Sequence, residues 1–103
     1  MPIQLSPETE KRVALLFPPD EQEQVRAVLL EDVASHFISV PYKRSEREVE
    51  RILFAVLKLS EGNFGKLGTA IKQATTDYRD VLVWAGFGSD VEAHKKWLPD
   101  KAW

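Results

Sequence analysis

The sequence predicts an all-α fold, a small orthogonal bundle of five to six short helices in a single domain spanning 1–103. Three observations predict it. Apolar residues recur at i, i+3, i+4 and i+7, most cleanly at Val49, Ile52, Leu53, Val56 and Leu57. Capping residues precede these stripes, and glycine or proline follows them. The alternation of strand and helix patterns that a parallel sheet needs is absent. The chain has 103 residues, 44% apolar and 29% charged, which is ordinary globular usage. That length buries a core without disulfides.

Each element follows from its own signals. Ser6-Pro7-Glu8 is a start signal: a serine cap, proline at the first helical position and an acid in the first turn. Val13, Leu16 and Phe17 then fall at helical spacing, and Pro18-Pro19 ends the helix. Asp20 and Glu23 read as a capping box for a second helix running to about His36, with Val25, Val28, Leu29 and Val33 as its stripe. The β-rich run 37–42, closed by Pro41-Tyr42, predicts an extended connector or one isolated strand. Ser45 and Glu48 form another capping box, opening a helix over 46–60 that Gly62 ends in a left-handed conformation.

Asn63 caps a helix carrying Phe64, Leu67, Ala70, Ile71 and Ala74. Gly65 and Gly68 weaken it and allow close approach of a neighbouring backbone. Thr76 caps a short helix from Asp77 to Ala85, closed by Gly86. Its centre, Val81-Leu82-Val83-Trp84-Ala85, is apolar all round and predicts burial on several sides, with a short strand as the competing reading. Ser89 or Asp90 caps a last helix that Pro99 stops after Trp97-Leu98.

The formal net charge is −2, without the basic excess of a non-specific nucleic-acid binder. Charge is uneven: residues 1–35 hold seven acids and three bases, while 36–62 and 63–103 each stand at +1. Residues 63–85 have a helix-turn-helix outline, but Asp77 and Asp80 at the start of its second helix repel phosphate, so nucleic acid is disfavoured. Cysteine is absent, which excludes disulfides and thiolate chemistry and suits a cytoplasmic, bacterial-type protein. No apolar run reaches the ~20 residues of a membrane span, and the N-terminus lacks the pattern of a signal peptide.

Three groups of residues are candidate sites. Asp32/His36 and Asp90/His94 each place a carboxylate and an imidazole four residues apart, which suits a shared divalent metal or an ordinary surface pair. Lys43, Arg44, Arg47 and Arg51 gather at the start of the third helix. If helical geometry extends to Arg44, the arginines form one face for an anion or an acidic partner; alternatively they pair with the interleaved glutamates. Trp97, Leu98 and Trp103 offer an apolar contact surface at the C-terminal end, or Trp97 closes the core. Asp77 and Asp80 suit acid/base work only if one is desolvated. Gly62, Gly65 and Gly68 are not followed by a lysine-serine/threonine pair, so no phosphate loop and no cofactor is predicted.

The leading functional expectation is therefore a small non-enzymatic protein-protein interaction or accessory module, acting on a protein partner or on itself. The alternative is a small metal-dependent or acid/base enzyme using Asp32/His36 and Asp90/His94.

Overall fold

Helices account for the architecture throughout, and no strand occurs among the described residues. The structure is a computed structural model that describes residues 4–38, 44–88 and 93–100. Helix α1 spans Pro7–Leu16, with Ser6 accepting the amide of Thr9 as its cap. Helix α2 spans Pro19–Val28 and runs on through a π-helical turn, Leu29–Ala34, into a final α-helical turn, α3 (Ser35–Ile38). Then come α4 (Glu46–Ser60), α5 (Phe64–Thr76), α6 (Tyr78–Trp84) and α7 (Ala93–Lys96).

Helix α4 is the centre of the bundle. It packs against α1, the π-helical turn, α5, α6 and α7. Its residues 52–57 are all buried, so its apolar face is wider than the five-residue stripe. The Ser45–Glu48 capping box forms in both directions, and the helix ends through left-handed Glu61 and Gly62. Among the described residues, no helix is long and apolar enough to cross a membrane.

Several local expectations are corrected. Pro18 and Pro19 do not both terminate α1. Pro19 is the first residue of α2 and Pro18 its cap, so the Asp20–Glu23 box does not form. Proline fits there because its missing N–H has no partner in a first helical turn. The predicted extended segment at 37–42 fails at its start: Phe37 and Ile38 are helical, and 39–43 lie outside the described residues. Burial overrides β-propensity here, since Phe37 is 1% exposed and packs edge-on to Tyr78 at 5.7 Å. The π-helical turn has a related cause. Val25, Leu29, Val33 and Phe37 are all buried at strict four-residue spacing, longer than the ~3.6-residue turn of an α-helix. A wider turn brings them back onto one face.

Asp77, not Thr76, caps α6, accepting the amide of Arg79; Thr76 instead donates its hydroxyl to the carbonyl of Lys72. The glycines of α5 make no close helix contact. Gly68 is exposed, and a side chain there would meet nothing within 4 Å. Helix α6 is not buried all round either. Val81 and Leu82 enter the core, while Val83 and Trp84 are 65% and 61% exposed. The helix lies on the bundle with α4 and α5 on one side and solvent on the other.

Candidate functional site

The basic residues around the start of α4 take separate roles. Arg44 precedes the Ser45 cap, so it leaves the helix axis and reaches α6. One guanidinium nitrogen donates to the Tyr78 hydroxyl at 2.8 Å and another to Glu48 at 3.1 Å, and the group lies 4.8 Å from the Tyr78 ring centre. Arg47 is exposed on the first turn of α4. Arg51 turns the other way and donates to the carbonyl of Phe87. Arg44 and Arg47 are thus brought together on one groove, and Arg51 is tied to the turn that follows α6. Lys43 lies outside the described residues.

That groove, about 900 Å³, runs between the N-terminal turns of α1 and α4 and the end of α3. Leu5, Ile38, Val49 and Leu53 supply apolar surface, and Arg44, Arg47 and Lys95 supply positive charge. Glu46 and Glu50 also line it. The Ser6 hydroxyl donates to Glu50 at 2.7 Å, and the other Glu50 oxygen lies 3.9 Å from Nε2 of His94.

The two histidines occupy different settings. His94 is fully buried, edge-on to Phe54 at 5.3 Å and to Phe87 at 6.3 Å. Asp90 lies outside the described residues. His36 and Asp32 line a second, more open groove of about 900 Å³ between the π-helical turn and α5, with Glu31 and Lys72. Among the described residues, no group of three or more histidines and carboxylates could hold a metal ion. Asp77 accepts hydrogen bonds from Arg79, which holds its carboxyl below the ordinary value of 3.8. A general acid at neutral pH needs the opposite shift. Asp80 accepts from the Gln73 amide at 2.9 Å.

At the C-terminal end, Trp97 is half-buried and closes the core, with Phe54 and Phe87 at 6.4 and 6.3 Å between ring centres. Leu98 is 49% exposed. Trp103 lies outside the described residues. What holds this segment is a residue that the sequence reasoning missed. Arg12 is 2% exposed, lies 4.1 Å over the Phe54 ring, and donates from Nε and Nη2 to the carbonyl of Trp97 at 3.1 and 2.8 Å. Its third nitrogen donates to the backbone carbonyl and the carboxylate of Glu8. Thr9, Arg12, Val13 and Leu16 fall at i, i+3, i+4 and i+7 on one face of α1, and the structure buries all four. A buried cation needs acceptors.

Val83 and Trp84 were also missed as candidates, because an all-apolar run reads as core. Compared with known proteins, the chain finds no matching family model, no matching curated protein and no matching solved structure. The functional reading therefore rests on its own surfaces. These are a half-apolar groove of mixed charge, an open groove bearing Asp32 and His36, and an exposed Val83/Trp84 pair.

Proposed function

We propose that this chain is a non-enzymatic protein-interaction module that binds a protein partner or a second copy of itself through α6. One observation carries the reading: the last turn of a seven-residue helix displays Val83 and Trp84 to solvent at 65% and 61% exposure. Tryptophan is the side chain most enriched at binding hot spots, because it buries a large rigid surface at small entropic cost. Arg79, itself 76% exposed, lies four residues before Val83 and offers a polar rim. The cysteine-free composition fits a cytoplasmic setting.

A photo-crosslinking benzophenone side chain in place of Trp84 tests the reading in extracts of the source cells. A discrete covalent adduct, or a dimer of the chain, is expected at this position and not at exposed Gln24 on α2. Equal labelling at both positions, or none at either, refutes it. Sedimentation of the unmodified chain across a range of concentrations then separates self-association from capture of another protein.

A further inference from the structure

We infer that Lys58 and Arg51, two cations of α4, are positioning residues that lock the end of α6 and so set the direction in which Val83 and Trp84 face a partner. The inference rests on the reading of the chain as an interaction module and names the residues on which its binding surface depends. Both cations reach the same short stretch of backbone. Lys58 donates from Nζ to the carbonyl of Ala85 at 2.8 Å, and Arg51 donates from Nη2 to the carbonyl of Phe87. The two stand seven residues apart on one face of α4. Their acceptors flank Gly86, which sits at φ +83°.

The backbone between them is closed to match. The amide of Phe87 donates to the carbonyl of Leu82 at 2.8 Å and that of Gly86 to Val83 at 3.0 Å, the two bonds of a glycine-ended helix terminus. Lys58 takes the carbonyl of Ala85, which lies past the reach of the helix's own amides. Its ammonium also lies 5.0 Å from the centre of the Phe87 ring, which is 2% exposed. Positive charge at the carbonyl end of a helix is favoured by the helix dipole. Past the turn, Gly88 backs Val83: a Cβ there would lie 3.1 Å from Val83 Cγ2.

The place where these contacts act ties them to binding. Helix α6 has seven residues, too few to hold its last turn by its own hydrogen bonds. Leu82 and Ala85 are buried on the bundle side of that turn, and Val83 and Trp84 stand between them on the solvent side. A loose turn would let the indole fold back onto apolar surface, and binding would then carry the cost of ordering it. Tethered from two points of α4, Val83 and Trp84 meet a partner already in place. Lys58 is itself exposed, so its hydrogen bond, rather than burial of its side chain, is what it gives the turn.

The test follows the full chain by amide hydrogen exchange, with Trp84 in place, and by photo-crosslinking from a benzophenone side chain at position 84 in extracts of the source cells. Lys58→Met keeps the apolar stem and removes the donors, Lys58→Arg restores donors, and Arg51→Met cuts the second tether. In both Met variants the amides of Gly86 and Phe87 should exchange about tenfold faster, as loss of a hydrogen bond from a charged group implies. Amides in the middle of α4 should hold their rates. The adduct at position 84 should fall several-fold in both Met variants and return in Lys58→Arg. The inference is overturned if the Met variants keep the parent's exchange at Gly86 and Phe87. It is equally overturned if exchange quickens throughout α4, the mark of a merely structural role. An adduct undiminished beside a loosened turn removes the positioning role and leaves the module reading standing. No adduct in the parent, whose turn is still tethered, removes the module reading and this inference with it.

Discussion

Replacing Arg12 with alanine should destabilise the chain by about 3 kcal/mol, and the estimate can be worked from its contacts. The guanidinium donates twice to the carbonyl of Trp97, and hydrogen bonds from a charged group contribute roughly 1.5–3 kcal/mol. It also lies 4.1 Å over the Phe54 ring, a cation–π contact in a desolvated setting worth about 1–2 kcal/mol. The ion pair to Glu8 adds little, since that carboxylate is 62% exposed and screened. Arg12→Ala removes both main contributions at once. For a domain of this length the midpoint of thermal unfolding should fall by roughly 12–24 °C. Urea unfolding at constant m-value is the assay. Arg12→Lys should recover only part of the loss, because an ammonium lacks the planar fork that serves one carbonyl with two donors. Amide exchange at Trp97 should accelerate more than exchange in α4. If Arg12→Ala lies within about 1 kcal/mol of the parent, the guanidinium is not what holds the C-terminal segment, and the reasoning fails.

The remaining predictions concern single positions. Gly68→Ala should stabilise by about 0.5–1 kcal/mol, since the site is helical, exposed and open, whereas Gly86→Ala should destabilise because Gly86 sits at φ +83°. Calorimetry on the pair checks both signs. Ile52, 2% exposed on α4, should cost about 2–5 kcal/mol when cut to alanine, read by urea unfolding. The hydrogen bond from Arg12 holds the Glu8 carboxyl below its ordinary value of 4.5. The small stability Glu8 adds is therefore complete above pH 4.5 and lost as pH falls through its lower folded value. Melting Glu8→Gln beside the parent should show a gap at pH 7 that closes as the pH falls below 4.5; a gap that widens on acidification contradicts the assignment.

The sequence by itself determined the helical class, the extent of α4 and the caps at Ser6, Ser45 and Asn63. These depend on interactions within four or five residues, where side-chain type and spacing suffice. The turns at Gly62 and Gly86 were legible for the same reason. Only the tertiary structure decided which face of each element meets another. Val81–Ala85 is uniformly apolar, so no periodicity told Val83 and Trp84 apart from Val81 and Leu82; the seat of α6 on α4 and α5 did. Phe37 and Ile38 favour a strand locally, yet burial of Phe37 against Tyr78 kept them helical. Arg44, Arg47 and Arg51 share a helical spacing in sequence, but the helix starts only after the cap at Ser45 and leaves Arg44 outside it. Arg44 and Arg47 therefore meet at the groove while Arg51 departs to Phe87. Arg12 is charged and lies early in the chain, and its burial depends on a carbonyl 85 positions away. Local patterns record what a residue can do for its own turn of helix, and long-range packing selects which of those surfaces are covered.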